Sequence, residues 1–446
     1  MPASNSGTTR ITVLADSDTR WKWGSLTASR LAGEGADKGE GADTRLDGRL
    51  LRGRATPTVR QLEEVGVRAD TLREVTAVEF LREVEREAPD VIVLALVGGA
   101  VQAVLHGLAR IAADGSGKRP VVVTGYVGVV YEKLADGLLL RHGADVVLAN
   151  SRQDAERFRA VYEGVGADAS GVVESALPFL GGTAYLEKDQ KHDPYTVVFA
   201  AQPSVPDSRA HRTYLLRRMV EHARLHPDRE VLIKLRSKPG EHTTHIEELP
   251  YQKLAKAEEL PPNCRLVYGN MGEVLDRTDL LVTVSSTAAL ESLHRRIPTA
   301  VLTDLGVREA LGNHHFIGSG CLASWDEIDA GYSPEAAPEW VARQGVAPDG
   351  TYETAFDAAR ERVANLLAQP QLPPIAPYYS LTTAPGYLPG ILARHHLGPD
   401  GAPLPGAPAT DREPGPVRQA VRSAARGAYR HGVQRVAPVI RRMGEL

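Results

Sequence analysis

Three consecutive hydroxyl side chains follow an apolar run in the second half of the chain. The run at residues 280–284 has the composition of a buried strand. It is followed by Ser285, Ser286 and Thr287, at the point where a helix is expected to begin. In open α/β sheets, ligands bind beyond the carboxyl ends of the strands, where hydroxyl and backbone N–H groups can hold an anion. A helix cap alone would need only one such residue, so we expect this stretch to bind a phosphate group.

A group of cations ends another apolar run of the same half, in the sequence VLIKLRSKPGE. Lys234 and Arg236 are two residues apart on a predicted strand, so they project from the same face, and Lys238 follows in the turn. These cations could neutralise the phosphate of a departing nucleotide without a metal ion. The alternative is that the strand has already ended and the cations are solvated.

The surrounding pattern is that of parallel α/β units, because short apolar runs alternate with amphipathic segments. Residues 71–87 have the spacing of an amphipathic helix, and the polar segment 181–194 is typical of a linker. The apolar runs before the linker are 11–15, 90–99, 120–125 and 144–150. Those after it are 195–203, 229–241, 264–270, 279–286 and 298–304.

This pattern predicts two α/β domains in series. An N-terminal domain is expected at residues 1–185 and a C-terminal domain at 186–370, followed by a proline-rich crossover and packing segment at 371–400. Residues 401–446 are expected to form a flexible linker and a basic amphipathic helix.

Composition excludes several classes of protein. The chain has 446 residues and a formal net charge of -4, which argues against a general nucleic-acid binder. Its two cysteines are too few for a disulfide framework or a thiolate metal site. No stretch has the apolar length of a signal peptide or a membrane span. A cytoplasmic protein is expected.

The C-terminal end has a regular charge pattern. Arginines recur every four residues beside valine and alanine, which suits peripheral binding to the anionic inner face of the plasma membrane. A solvated helix is the alternative. The four residues are Arg418, Arg422, Arg426 and Arg430.

The second half resembles the nucleotide-binding domain of GT-B glycosyltransferases, in which two Rossmann-like domains face a central cleft. The closest pattern is that of bacterial sialyltransferases, polysialyltransferases and capsule Kdo transferases, which use CMP-sugars. Ser285 and Ser286 match the serine pair of those families. Their second motif has a histidine before a proline, whereas here Arg236 or Lys238 precedes Pro239. The chain also looks like actinobacterial glycosyltransferases of wall glycopolymers.

Two further features are assigned to the nucleotide donor. Glu291 lies one helical turn beyond Thr287, and its carboxylate could accept hydrogen bonds from ribose hydroxyls. A carboxylate that only stabilises the start of the helix is the alternative. The end of the predicted strand at 264–270 supplies the remaining donor candidates, which are Tyr268, Gly269 and Asn270.

The first half offers an acceptor site in the stretch ITVLADSDTRWKWG. Asp16 and Asp18 follow a predicted strand, and either carboxylate could be the base that deprotonates an acceptor hydroxyl. Neighbouring cations and indoles suit an anionic sugar, whereas an Asx-turn with partly buried tryptophans is the alternative. The candidate acceptor contacts are Arg20, Lys22, Trp23 and Tyr126, of which the tyrosine could equally be a packing residue.

The resemblance implies a metal-independent, inverting glycosyltransferase without a cofactor. The expected donor is a CMP-linked nonulosonic acid such as Kdn or sialic acid, and the expected acceptor is a glycan or a lipid-linked polymer of the cell wall or capsule. A UDP-sugar or CDP-glycerol transferase is the alternative within the same fold. A nucleotide-sugar 2-epimerase and a non-catalytic scaffold are the alternatives from other classes.

Overall fold

The computed structural model describes residues 8–32, 44–53, 55–115, 117–129, 133–185, 194–238, 241, 249–346 and 351–407. Pro239 and the predicted basic helix with Arg418, Arg422, Arg426 and Arg430 lie outside these residues. The described residues form two compact units. The first contains residues 8–179 and 351–407, and the second contains residues 180–346.

The first unit is built on a seven-stranded parallel sheet with the strand order β3-β2-β1-β4-β5-β6-β7. Its strands are β1 (Thr9–Ala15), β2 (Thr44–Leu51), β3 (Thr71–Val75), β4 (Val91–Ala95), β5 (Val121–Gly125), β6 (Val146–Ala149) and β7 (Val172–Glu174). Its helices are α1 (Asp18–Ala32), α2 (Val59–Val65), α3 (Ala77–Glu87), α4 (Gly98–Asp114), α5 (Leu134–Leu139) and α6 (Arg152–Gly164).

Apolar clusters cover both faces of this sheet, because successive strand residues point to opposite faces. On β4, Ile92 and Leu94 join one buried cluster with residues of α3 and α4. Val91 and Val93 join the other cluster, which contains residues of α1. The near-continuous apolar composition of the central strands follows from this double burial.

The second unit is built on a six-stranded parallel sheet with the order β10-β9-β8-β11-β12-β13. Its strands are β8 (Tyr195–Ala200), β9 (Arg229–Lys234), β10 (Cys264–Val267), β11 (Leu280–Thr283), β12 (Thr299–Leu302) and β13 (Leu322–Ala323). Its helices are α7 (Arg209–Leu225), α8 (Tyr251–Leu254), α9 (Met271–Leu275), α10 (Ala288–His294), α11 (Trp325–Asp329) and α12 (Pro338–Arg343). The two units confirm the predicted pair of Rossmann-like α/β domains.

The chain returns to the first unit earlier than the predicted boundary at residue 370. Helix α13 (Asp357–Ala368) and helix α14 (Leu388–Ala393) belong to the first unit. Ala359, Val363 and Leu366 of α13 complete the buried cluster on the α1 face of the first sheet. The stretch 351–370, which we expected in the C-terminal domain, therefore packs with the N-terminal one.

Residues 71–87, expected as one helix, contain strand β3 and then helix α3. Thr76 ends the strand and caps the helix, because its side chain accepts from the Glu79 N–H while the Glu79 carboxylate accepts from the Thr76 N–H. Within the described part of the chain, no helix combines the length and the apolar composition needed to cross a membrane.

Candidate functional site

The register of the second sheet brings the predicted cations and hydroxyls to one edge. Ala200 at the end of β8 pairs with Lys234 of β9 on one side and with Thr283 of β11 on the other. Lys234 and Thr283 are therefore two strand spacings apart, about 10 Å. The strand order reverses between β8 and β11, and this reversal is where open α/β sheets bind ligands beyond their strand ends.

Ser285 holds this edge together. Its hydroxyl donates to the Leu311 carbonyl (2.6 Å) and accepts from the Gln202 side-chain amide (3.1 Å). Its backbone N–H donates to the Gln202 side-chain oxygen at 2.9 Å. Because Ser285 is only 4% exposed, its hydroxyl is used for hydrogen bonds inside the protein and not for contact with a ligand. Sequence reasoning missed Gln202, whose partner is 83 residues away.

The other two hydroxyls are more open. Ser286 and Thr287 are half-buried. The Ser286 hydroxyl accepts from the Ala288 N–H (3.2 Å), so Ser286 provides the cap that begins α10. The Thr287 side chain makes no cap hydrogen bond. Thr287 therefore offers a hydroxyl that the helix does not use, and Ser286 offers one whose second lone pair and proton remain for a ligand.

The three cations differ in exposure. Lys234 is 8% exposed, and its ammonium donates to the Leu235 carbonyl at 2.9 Å. Arg236 is half-buried and Lys238 is exposed, and the Lys238 ammonium lies 5.9 Å from the centre of the Tyr268 ring. Of these three cations, Lys238 is therefore the most accessible to an anionic ligand.

The strand-end loops after β9 and β10 are tied to each other. The Gln252 amide donates to the Ser237 carbonyl (3.0 Å) and to the Tyr268 hydroxyl (3.1 Å). Gly269 has a φ of 104°, a left-handed conformation that favours glycine. Asn270 caps α9, since its side-chain oxygen accepts from the Gly272 N–H at 2.8 Å. These residues shape the loop in addition to any contact with a ligand.

Glu291 lies in the first turn of α10 and is 8% exposed. Ser286 and Thr287 lie immediately before this helix. The Glu291 carboxylate is therefore at the predicted position, one turn beyond the two hydroxyls. Because Glu291 is so little exposed, it can contact only those nucleotide groups that reach the carboxyl edge of the second sheet.

In the first unit, Asp16 lies where the strand order reverses between β1 and β4. One carboxylate oxygen accepts from the Arg20 guanidinium (2.9 Å) and the other accepts from the Val97 N–H (2.9 Å). Asp18 is the first residue of α1 and is half-buried. Its carboxylate accepts from the Thr19 hydroxyl at 3.3 Å.

The predicted acceptor contacts have unequal access. Lys22 lies with its ammonium 4.7 Å from the centre of the Phe179 ring. Trp23 is 1% exposed, and a Cβ at Gly125 would lie 2.7 Å from its ring. The stacking of Trp23 on a sugar, which we expected, does not fit this position because the indole is part of the core.

Tyr126 packs against a buried arginine that sequence reasoning missed. The Arg141 guanidinium lies 4.0 Å from the centre of the Tyr126 ring. It donates to the carbonyls of Gly125 (3.1 Å), Gly137 (2.7 Å) and Leu96 (3.2 Å). Burial raises the pKa of Tyr126 and lowers the pKa of Arg141. The Arg141 guanidinium beside Tyr126 therefore stabilises the strand ends through hydrogen bonds inside the first unit.

One group of side chains in the described residues has atoms close enough together to hold a metal ion. His222, His226 and Asp329 offer ligand atoms that lie within 4.8 Å of one another. His222 is 2.6 Å from the Asp329 carboxylate, which also accepts from Arg218 at 2.9 Å. An arginine already neutralises this carboxylate, so the contacts are those of a partly buried charge network.

Comparison with known proteins relates the chain to one family and one fold. The family model described as "Putative glycosyltransferase (DUF6716)" matches residues 11–366. None of the curated proteins matches the sequence. A solved structure described as "putative UDP-N-acetylglucosamine 2-epimerase from Listeria monocytogenes" is 13% identical, has a TM-score of 0.50, and aligns over 82% of this chain and 99% of its own.

Two further solved structures are similar at lower scores. The UDP-GlcNAc 2-epimerase from Neisseria meningitidis, bound to UDP-GlcNAc, is 11% identical with a TM-score of 0.43 and aligns over 80% of this chain and 99% of its own. The spinosyn rhamnosyltransferase SpnG is 14% identical with a TM-score of 0.42 and aligns over 81% and 97%. The likeness to the Listeria structure shows the fold alone. Since the family model spans most of the sequence, the chain belongs to the family described as "Putative glycosyltransferase (DUF6716)".

Proposed function

We propose that the protein transfers a sugar from a nucleotide-sugar, with a CMP-linked nonulosonic acid as the favoured donor, to a hydroxyl of a wall or capsule glycopolymer. The observation that carries the proposal is the register that aligns Lys234, Ala200 and Thr283 at the carboxyl edge of the second sheet. It gathers cations and hydroxyls of different strands at the reversal of strand order.

The donor phosphate is held by Ser286 and Thr287, and by the cations at the end of β9. Ser285 is needed to position this edge, because its hydroxyl and N–H are used by Leu311 and Gln202. Lys238 and Arg236 neutralise the charge that develops on the departing phosphate, so no metal ion is required for this step. Glu291 and residues 268–270 contact the nucleoside.

The first unit provides the acceptor side. Asp16 after β1 is paired with Arg20, and Lys22 follows on the same helix, α1. The charges of Arg20 and Lys22 suit a carboxylate or phosphate on the acceptor. Deprotonation of the acceptor hydroxyl gives in-line attack on the anomeric carbon and inversion of its configuration. Arg418, Arg422, Arg426 and Arg430 would bring the enzyme to the anionic membrane surface where a lipid-linked acceptor is found.

The test is a calorimetric comparison of CMP, CDP, UMP and UDP on the wild-type protein and on Thr287→Val and Lys238→Met. We expect CMP to bind best and both substitutions to weaken it. Lys256→Met, at an exposed lysine of the same unit, is the matched control and should not change affinity. A preference for UDP would transfer the proposal to UDP-sugars, and absence of nucleotide binding would refute it.

A second candidate function is epimerisation at carbon 2 of a nucleotide-sugar. The similar Listeria protein is described as a UDP-N-acetylglucosamine 2-epimerase. Incubation with UDP-N-acetylglucosamine in the absence of any acceptor separates the two reactions. An epimerase would convert the donor into its 2-epimer, whereas a transferase leaves that configuration unchanged.

A further inference from the structure

In the first unit, one carboxylate holds the hydroxyls of two tyrosines that are distant in sequence. Asp136 lies in the first turn of α5, the helix that follows β5. One of its oxygens accepts from the Tyr379 hydroxyl at 2.8 Å, and the other accepts from the Tyr387 hydroxyl at 3.2 Å. The tyrosines follow Asp136 by 243 and 251 residues, so the fold and not the local sequence brings the three side chains together.

Tyr379 and Tyr387, which we call the tyrosine pair, are held in a fixed orientation. The Tyr379 carbonyl accepts from the Gln102 amide at 3.1 Å and from the His106 imidazole at 2.9 Å, and both donors lie on α4. The two tyrosine rings meet edge to face, with centroids 5.3 Å apart and an angle of 81°. Burial and the Asp136 carboxylate raise the pKa of both tyrosines, so their hydroxyls stay protonated and keep donating to Asp136.

Tyr387 is fixed although much of its ring is open to solvent. The residue is 44% exposed, and Leu381 of the same segment is 49% exposed. A ring with this exposure gains little from burial in the protein itself. A ligand that covers the ring pays little for ordering it, because the hydrogen bond to Asp136 already fixes the side chain. The tyrosine pair therefore has the properties of a preformed binding surface.

The tyrosine pair lies beside the strand ends that carry the acceptor candidates. Helix α4 begins with two glycines. A Cβ at Gly98 would lie 2.8 Å from the side chain of Leu140, directly after α5. A Cβ at Gly99 would lie 3.7 Å from the side chain of Ile391, one turn beyond the start of α14. The helices that carry Asp136 and follow Tyr387 thus both pack against the beginning of α4, next to the backbone N–H that donates to the carboxylate after β1.

The groups at the tyrosine pair suit a sugar. A sugar ring has an apolar face of C–H groups, which an aromatic ring can cover, and hydroxyls that can donate to a carboxylate. Each Asp136 oxygen uses one lone pair for a tyrosine and keeps another for a ligand. Arg394 is exposed and directly follows α14, two turns beyond Tyr387 on the same face of the helix. Its guanidinium suits the carboxylate of an acidic sugar.

Two other occupants match this surface less well. An apolar segment of another protein would bury the Asp136 carboxylate, whose two hydrogen bonds inside this unit come from neutral hydroxyls. The anionic surface of a membrane would be repelled by the same carboxylate. A carbohydrate chain supplies both a C–H face for the Tyr387 ring and hydroxyl donors for Asp136.

We propose that Asp136, Tyr379 and Tyr387 form a glycan subsite, which holds a sugar of the acceptor chain apart from the hydroxyl that reacts. The inference deepens the sugar transfer proposed above and rests on it. The Tyr387 ring covers the C–H face of the sugar, Asp136 accepts from its hydroxyls, and Tyr379 fixes the position of both. A chain held at a second place presents its reactive end at a higher effective concentration, so the enzyme prefers oligosaccharide acceptors to single sugars.

The test is calorimetric titration of oligosialic acid and of dextran oligosaccharides, an acidic and a neutral probe, in the absence of nucleotide. The wild type should bind at least one of them, and Tyr387→Ala should weaken that Kd about tenfold. Tyr387→Phe keeps the ring and should weaken binding less. Arg394→Ala should weaken binding of oligosialic acid alone. The urea midpoint and the Kd for CMP should be the same in Tyr387→Ala and the wild type, which separates loss of the subsite from loss of the fold.

Tyr332→Ala is the matched control. Tyr332 lies in the second unit and is 46% exposed, close to the exposure of Tyr387, and this variant should bind both glycans like the wild type. A wild type that binds neither glycan, or a Tyr387→Ala variant with unchanged glycan Kd, would overturn the subsite. Phosphatidylglycerol vesicles provide a third probe. If Tyr387→Ala loses vesicle binding and keeps glycan binding, the surface is a membrane contact and the assignment is wrong.

Failure of the subsite and failure of the transferase function give different results. Nucleotide release from CMP-N-acetylneuraminic acid and UDP-N-acetylglucosamine is measured with the same glycans as acceptors. If the wild type transfers sugar and Tyr387→Ala keeps the acceptor KM, only the subsite is refuted; a raised acceptor KM with unchanged kcat supports it. If the wild type binds glycan through Tyr387 but releases no nucleotide, the transferase function fails while the glycan site stands.

Discussion

Replacing Ser285 by alanine is expected to destabilise the second unit, whereas replacing Ser286 should mainly weaken nucleotide binding. The Ser285 hydroxyl is buried and joins the Leu311 carbonyl to the Gln202 amide. Ser285→Ala removes two hydrogen bonds and leaves both partners unsatisfied, at a cost of about 1 kcal/mol each. For a unit of this size, about 2 kcal/mol corresponds to a fall in Tm of roughly 4–8 °C.

The neighbouring substitution, Ser286→Ala, should affect stability less and nucleotide binding more. Ser286→Ala removes the hydroxyl that accepts from the Ala288 N–H, and loss of such a cap costs about 0.5–1 kcal/mol. The Tm should fall by only about 1–4 °C. If Ser286 also donates to a nucleotide phosphate, the lost charged hydrogen bond of about 1.5–3 kcal/mol weakens the nucleotide Kd by roughly 10–100-fold.

The assay combines urea unfolding of each variant with calorimetric titration of CMP and UMP. Thermal unfolding alone would not suffice, since a bound nucleotide raises the apparent Tm. Equal stability of Ser285→Ala and the wild type would refute the structural role of Ser285. A Ser286→Ala variant that unfolds earlier but binds nucleotide with unchanged Kd would show that this hydroxyl is only a helix cap.

Three other predictions follow from the packing and charges. Gly98→Ala should destabilise by about 1–3 kcal/mol in urea, because its Cβ would lie 2.8 Å from the Leu140 side chain; Gly99→Ala, whose nearest neighbour is 3.7 Å away, is the control and should be near neutral. Gln202→Glu keeps an acceptor for the Ser285 N–H but adds a negative charge, so we expect nucleotide Kd to weaken at least tenfold (about 1.4 kcal/mol); unchanged affinity would place the phosphate elsewhere. Burial lowers the pKa of several histidines, so the unfolded chain binds more protons than the folded chain as the pH drops. The free energy of unfolding should be greatest above about pH 6.5 and should fall below it by up to about 1.4 kcal/mol per pH unit for each histidine. A urea midpoint that stays flat between pH 7.5 and 5.5 would contradict this. These histidines are His106, His142, His222 and His395.

The apolar strands could be predicted from the sequence, but the charged ones could not. The runs that became β4, β5 and β6 are covered on both faces and are apolar at nearly every position. Strand β2 reads TRLDGRLL and was not predicted, because its charged side chains are neutralised by distant partners. Arg49 pairs with Glu83 at 2.6 Å, and Asp47 accepts from the Thr71 hydroxyl at 2.6 Å. Burial of a charge beside its partner has no local signature in a single sequence.

The candidate site was predictable where it depends on strand ends and was missed where it depends on long-range packing. Parallel strands end at one edge, so the position of Lys234 near the hydroxyls follows from the element order. Gln202 and Arg141 were not found, since each forms hydrogen bonds with residues of other elements. Trp23 failed for the opposite reason, because a chemically attractive side chain was needed by the core.

Both units close the reversal of strand order in the same way. In the first unit, Asp16 follows the first strand and accepts from the N–H of Val97, which lies across the reversal. In the second unit, Gln202 follows the first strand and accepts from the N–H of Ser285, again across the reversal. Both side chains accept a hydrogen bond from a backbone N–H, but Asp16 is a carboxylate and Gln202 is a neutral amide. A carboxylate suits the unit proposed to deprotonate the acceptor hydroxyl, whereas a neutral amide suits the unit proposed to hold a phosphate, because it adds no opposing negative charge. The difference between these two residues therefore fits the division that we propose, with acid–base chemistry in the first unit and anion binding in the second.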